Sequence, residues 1–380
     1  MTDTPPASIS PKKPRPPLRV FFPAIGVALI FAAYTAYWFA ASSRLQVGIK
    51  SFVTESKNDN IALTWHDLSV SGFPYRIGLT FTKPAVAAPK TPENWSWSAD
   101  SLESDFLPYN LRHLVLKIDG TQELHYSDVG EHPRHHVIRA KAEGTWASYI
   151  ALKDEPFGRL AIDIKNLKST RDETQAKTSA NDANSEYLNA DRLQLHMQPV
   201  DELDTNATPI PIPSTPNNYD IALQGDVMSI SPNATTRVLG NQIEIIAVQA
   251  RLRNVPQGQS ASLVELSRDW LEKGGRLTVS DLRIKWGALD LWAQGEITLD
   301  DQARPKGRFD AEITNYSELL LALVNAGIIR PEDAKLTNLG MGLVAQLQGK
   351  NDGRISVPVV MNNGKLFLGP LFVATLKPIF

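Results

Sequence analysis

The sequence predicts a mainly β protein with a few helices: one N-terminal transmembrane helix followed by a large antiparallel, curved sheet. Three observations lead there. An uncharged run of 22 residues, Val20 to Ala41, lies near the N-terminus. Beyond it, apolar residues recur at every second position, as in Leu114, Leu116 and Ile118, then Leu160, Ile162 and Ile164, then Leu193, Leu195 and Met197. Polar residues lie between them, so each strand has one apolar and one wet face. Helical spacing with capping signals occurs at only three later places, all in the second half of the chain.

Residues 1–19 are proline-rich and polar and read as a disordered cytoplasmic tail. Val20 to Ala41, at about 1.5 Å of helical rise per residue, covers a hydrocarbon core of roughly 30 Å. Lys12, Lys13, Arg15 and Arg19 precede the run while only Arg44 and Lys50 follow closely, so the N-terminus is expected in the cytoplasm and the bulk of the chain outside. Two other readings compete: a cleaved signal peptide, with small residues at Ala40 and Ser42, and a buried core helix, which the lack of any soluble-face residue in the run disfavours. Signal h-regions typically hold only about 7–15 residues, which favours an uncleaved anchor. Tyr34, Tyr37 and Trp38 sit near the outer end, where an aromatic belt belongs.

Leu45 to Ser56 suits a stalk helix continuing the anchor, and Ile61, Leu63 and Trp65 begin the alternation. Gly72-Phe73-Pro74-Tyr75 reads as a strand reversal, because glycine accepts positive φ and proline suits a turn. Two polar stretches, Ser169 to Glu186 and the proline-rich Asp201 to Asn218, read as loops or linkers. The resulting organisation is a β-rich half over 42–200, a linker over 201–218, and a second β-rich half over 219–380. One continuous sheet with long insertions fits equally. Helices are expected near 262–273, opened by the capping box Ser262-Leu263-Val264-Glu265, near 316–326, and near 331–340, where Pro331 suits a first turn. Asn363-Gly364 is a hairpin signal joining Val357 to Met361 with Lys365 to Leu368, and Pro358 restricts its strand to an edge, a start or a bulge. Gly158-Arg159 through Ile164 and Asn166 echo Gly307-Arg308 through Ile313 and Asn315. Ala142-Glu143-Gly144 upstream parallels Ala293-Gln294-Gly295, which suggests a repeated hairpin.

Composition limits the function. With 39 basic against 41 acidic residues the net charge is −2, so no bulk field recruits nucleic acid. The chain has 0 cysteines, which removes disulfides, thiolate nucleophiles and cysteine-ligated metals. No phosphate loop, nucleophile elbow or His-Glu-x-x-His motif occurs. His132, His135 and His136 could together hold zinc or copper. Pro133 and Arg134 place them in a turn between strands at Leu124 to Ser127 and Val137 to Ala142, where solvated histidines are ordinary. Asp201, Glu202 and Asp204 lack the glycine and terminal glutamate of a calcium loop. Trp95 and Trp97 share a strand face, as core residues or as the lining of a groove. No catalytic, cofactor-binding or metal-binding residue is assigned, and the chain is not read as an enzyme.

Val70-Ser71-Gly72-Phe73-Pro74-Tyr75-Arg76, placed shortly after the anchor, resembles the entry motif of an uncharacterised proteobacterial envelope family, a domain of unknown function. Leu282 to Leu289, Gly295, Gly307, the Leu319 to Gly327 helix and Asn363 to Leu371 resemble the same family. The likeness covers most of the chain after the anchor. Its wider relatives are the AsmA-like envelope proteins, built from one N-terminal helix and long curved sheets. The resemblance implies an inner-membrane-anchored periplasmic protein of envelope biogenesis that handles lipids, and it brings no catalytic residue with it. Two functions are therefore expected to compete: binding or conveying a hydrophobic molecule, and scaffolding envelope proteins without a ligand.

Overall fold

The computed structural model describes residues 22–58, 60–130, 133–153, 157–173, 185–200, 217–233, 235–256, 260–348 and 353–379. The expected tail, His132, the acidic residues Asp201, Glu202 and Asp204, and most of the expected linker lie outside the described residues.

Anchor and stalk are one helix, α1, Phe22–Asn58. At 37 residues it is about 55 Å long, nearly twice the thickness of a hydrocarbon core. The helix is long and apolar enough to cross a membrane once. Ile25, Val27, Leu29 and Ile30 on it are exposed, while Trp38 and Ala41 at the end of the apolar run are buried against the sheet.

Eighteen strands follow among the described residues, all in one antiparallel sheet. The first five are β1 Ala62–Thr64, β2 Asp67–Ser71, β3 Ile77–Thr82, β4 Ala85–Ala88 and β5 Trp95–Leu107. Next come β6 Asn110–Ser127, β7 His135–Lys141, β8 Gly144–Ile150, β9 Arg159–Glu173 and β10 Ser185–Pro199. The far part is β11 Tyr219–Ile230, β12 Gln242–Arg253, β13 Arg276–Trp286, β14 Leu289–Leu299 and β15 Pro305–Thr314, closing with β16 Arg354–Asn362, β17 Lys365–Leu368 and β18 Leu371–Thr375. From β8 onward each strand pairs with the next in sequence, so the sheet is a long meander. The segment between β10 and β11 does not interrupt it: Met197 faces Ile221 and Leu195 faces Leu223 directly. β7 and β8 share one position between the long strands β6 and β9.

Four more helices decorate this sheet: α2 Thr236–Leu239, α3 Leu263–Glu272, α4 Tyr316–Asn325 and α5 Pro331–Leu347. Ser262 caps α3 as its sequence foretold, accepting from the Glu265 amide. α5 runs past the expected end at 340 because Met341 is buried in the cluster beneath it, and that burial outweighs the glycines at 340 and 342.

The sheet curves. Trp270 Nε1 donates to the Arg253 carbonyl oxygen (2.7 Å), which ties α3 to β12. At the other end of α3, Glu93 Oε1 accepts from Ser262 Oγ (3.0 Å) and the Val264 amide (2.9 Å), while Trp95 Nε1 donates to the Ala261 carbonyl oxygen (2.8 Å). β5 and β12 lie six strand intervals apart, about 29 Å in a flat sheet. A helix of 10 residues is only about 15 Å long, so it bridges them only if the sheet bends.

Some expectations need correction. The alternation at 61–66 gives only the short β1. Ser169 to Glu186 is not simply a loop: β9 reaches Glu173 and β10 starts at Ser185. Their polar side chains are satisfied across the ladder, with Ser169 Oγ donating to the Leu188 carbonyl oxygen (2.5 Å) and Asp172 pairing with Arg139. His135 and His136 belong to β7 and not to a turn. Pro358 stands in an interior strand, opposite Asp310. Its ring faces the side where the β17 ladder has ended, since its carbonyl oxygen there accepts from Gly369 beyond β17 (2.7 Å). The echo is real for single strands, because Asn166 and Asn315 both turn left-handed, at φ 50° and 52°. It is not a repeated hairpin: Gly144 faces Lys165 whereas Gly295 faces Phe309, seven and two residues into the echo. Asn363 and Gly364 are both left-handed, as their hairpin demands.

Candidate functional site

Register and alternation put the apolar residues of successive strands on one side of the sheet. Leu79 faces Val70 on β2 and Ser104 on β5, and Ile77 faces Phe106. From there a row runs Phe106, Leu114, Tyr149, Leu160, Met197, Ile221, Ala250, Val279 and Gly295, each residue opposite the next. A parallel row runs Leu116, Ala147, Ile162, Leu195, Leu223, Val248, Leu282, Ala293, Ala311 and Val357. The apolar side is therefore continuous from the strands beside α1 to the C-terminal hairpin.

It is not uniformly covered. Near the start, Trp38, Ala41, Leu45 and Ile49 of α1 close over Ile77, Leu79 and Phe106. At the far end, α4 and α5 place Leu319, Leu320, Leu323 and Met341 on Ile313, Ile355 and Val357. Ala250, Val279, Ala293, Phe309 and Ala311 form a second buried cluster beside it. A smaller one joins Ala190, Met228 and Ile243 at the other end of the middle strands. Between these, on β6 and β8–β11, Leu114, Leu116, Ile162, Leu195, Met197 and Ile221 are only half-buried and Leu223 is 43% exposed. This apolar strip, uncovered among the described residues, is the candidate site.

The opposite side is polar and paired. Arg192 grips Asp163 through Nε (2.7 Å) and Nη2 (3.1 Å), and Arg251 grips Asp220 in the same two-pronged way (2.8 and 3.2 Å). Lys285 reaches Glu244 (2.5 Å) and Arg354 reaches Glu312 (3.1 Å). The Arg192 hydrogen bonds hold the Asp163 carboxyl below the usual range, and the reciprocal bond raises Arg192. A concavity of about 630 Å³ on this side is lined by Ser148, Ala161, His196, Asp220, Arg251 and Thr278. Its Arg251 is engaged by Asp220 and its Arg253 bonds Thr278 Oγ1 (3.3 Å), while Arg159, also in the lining, is exposed.

His136 is a structural residue of β7. His136 is buried, Arg171 Nη2 donates to its Nδ1 (2.8 Å), and its Nε2 donates to Asp128 (2.9 Å). Both ring nitrogens are thereby engaged. The His136 hydrogen bond, assisted by Arg134, draws the Asp128 carboxyl below its ordinary range. Among the described residues no three metal-ligating side chains gather. Trp95 and Trp97 are half-buried, bonded to the Ala261 carbonyl oxygen and to Gln122 Oε1 (3.3 Å).

A family model described as an uncharacterized protein conserved in bacteria (DUF2125) matches residues 38–377. The chain belongs to this family. The matched span starts at Trp38, the α1 residue that seals the first cluster, and takes in the whole sheet. No curated protein matches the chain.

The sequence reading found the strip on β6, β9 and β10 but missed its continuation on β11–β16. Runs such as Ile243, Ile245, Ile246, Ala247 and Val248 are apolar at consecutive positions and blur the alternation. The cross-strand arginine–aspartate pairs were also missed. Their partners lie 29 and 31 residues apart, and nothing local marks them.

Proposed function

We propose that the protein is an envelope component, anchored by α1 in the inner membrane with its sheet in the periplasm, that binds acyl chains on the uncovered apolar strip. The observation that supports this most strongly is the strip's continuity with the α1 end of the sheet. Five strand positions from β6 to β11 measure about 19 Å across. An acyl chain spans one leaflet, about 15 Å, so a chain lying across the strands fits. An exposed apolar band of this extent on an aqueous protein is expected to have an occupant. The charge bias around the apolar run gives the orientation, and no reaction is assigned.

Scaffolding is the second reading, favoured at one place only. On β14–β16 the apolar side is a closed core, and among the described residues β18 pairs on one edge alone, which suits addition of a partner strand.

The test uses the full-length protein, purified and delipidated in detergent and offered a radiolabelled phospholipid. Wild type should retain label, and Leu195→Asp and Leu223→Asp should lose most of it, whereas Gln194→Asp on the opposite face should not. Absence of uptake by wild type, or equal uptake by all four, rejects lipid binding. For the topology, protease added to spheroplasts should degrade the sheet and spare a reporter fused before Met1.

A further inference from the structure

We infer that the turns at 72–76 and 108–111 form a foot that seats the sheet in the outer leaflet of the membrane that α1 crosses. This rests on reading α1 as the span. Both turns lie at the same end of neighbouring strands, since Ile77 at the start of β3 faces Phe106 near the end of β5. Each is fastened to α1 within its apolar run. Tyr34 Oη donates to the Pro74 carbonyl oxygen (2.5 Å), Trp38 Nε1 to the Arg76 carbonyl oxygen (3.0 Å), and Tyr37 Oη to the Pro108 carbonyl oxygen (2.6 Å). Phe73 packs between Phe31 and Phe39, with ring centroids 6.1 Å from each.

Depth follows from these contacts. Counted from Phe22, where α1 begins, at about 1.5 Å per residue, the level midway between Phe31 and Phe39 lies roughly 20 Å into a core of roughly 30 Å, so Phe73 sits about 10 Å inside the outer boundary. Burial by about 5–10 Å is what interfacial anchors achieve. The side chains the turns present suit that depth. Tyr75 is 84% and Tyr109 80% exposed, and Phe73 and Leu111 are exposed as well. In water four such side chains on two adjacent turns would be a liability. At a membrane interface tyrosine is the favoured residue, with its ring in the acyl region and its hydroxyl among headgroups. Gly72 holds the first turn in shape: its φ is 96°, and a Cβ there would meet the Arg76 carbonyl oxygen at 2.7 Å.

The foot gives the strip its mouth. The second turn runs into Leu114, which continues the row from Phe106 to Tyr149, Leu160 and Met197, so the open apolar strip starts beside the leaflet surface.

The cysteine-free chain permits single-site labelling without background. Tyr75→Cys, Tyr109→Cys, Ile30→Cys and Asp310→Cys variants of the full chain are labelled with an environment-sensitive fluorophore and reconstituted in phosphatidylethanolamine–phosphatidylglycerol vesicles. Asp310 lies on the polar side of β15. Labels at 75 and 109 should show blue-shifted emission and lose intensity to a quencher carried on the lipid, like the label at 30. The label at 310 should respond only to aqueous iodide. If 75 and 109 behave like 310 while 30 is quenched by lipid, the foot is wrong and the anchor stands. If 30 also behaves like 310, α1 is not a span and the foot falls with it.

Discussion

The sheet's two regions share one apolar side and treat it differently. On β14–β16 the chain returns through α4 and α5, and their leucines bury Ile313 and Ile355 to 1% and 0% exposure. On β8–β11 the same alternation gives Leu195, Leu223 and Ile221, yet no described helix lies over them. The difference is not in the strands. Whether an alternating strand lines a core or a groove is decided by what covers it, and here the cover comes from α1 at one end and from the far connections at the other. Residue size follows: Ala293 and Ala311 occupy the closed region where Leu195 and Leu223 occupy the same row in the open one.

That comparison breaks most easily at its closed end. Ile355→Ala removes a buried side chain and should destabilise by about 2–5 kcal/mol, read as a lower urea midpoint by tryptophan fluorescence. Leu195→Ala should cost less than about 1 kcal/mol, since the side chain is already partly in water. Equal losses would mean that the open strip is a packed core in solution. Next in size is Ser262→Ala, which removes the α3 cap and one of two donors to Glu93 Oε1, the link between α3 and the start of β5. A loss of about 1 kcal/mol is expected. A loss within error would show that α3 does not hold the sheet in its bend.

The smallest effect is in the polar side and its pH dependence. Asp128 and Asp163 have folded-state pKa values depressed by His136 and Arg192. Their stabilisation is therefore present above the unfolded carboxylate value, near about 3.9, and is lost as pH falls through the lower folded value. Both carboxyls are partly solvated, so each pair should contribute no more than about 1 kcal/mol. Asp163→Asn should flatten the acid limb of a urea-midpoint profile by lowering the neutral value toward the acid one, by no more than about 1 kcal/mol. An unchanged acid limb would show that the ladder pairs do not persist in solution.

Much of the architecture was legible in the sequence because it is written in local spacing. The 22-residue run, the Ser262 cap, the Asn363-Gly364 hairpin and the alternation on β9 and β10 each specify their element within a few residues. What escaped depends on distant partners. The strand character of Ser169 to Glu173 rests on Leu188, Arg139 and His136, and the burial of His136 depends on Arg171, 35 residues away. The open strip was legible only as alternation, because exposure is a property of what fails to pack over it.

Photocrosslinking in vesicles tests acyl-chain binding most directly. The full chain, carrying a photoreactive group through Leu195→Cys, Leu223→Cys, Gln194→Cys or Gln224→Cys, is reconstituted with radiolabelled phospholipid and irradiated. Leu195 and Leu223 face each other on the apolar strip, while Gln194 and Gln224 face each other on the polar side. The account predicts labelled adducts at 195 and 223 and none above background at 194 and 224. Equal labelling on both sides, or none on either, would contradict it.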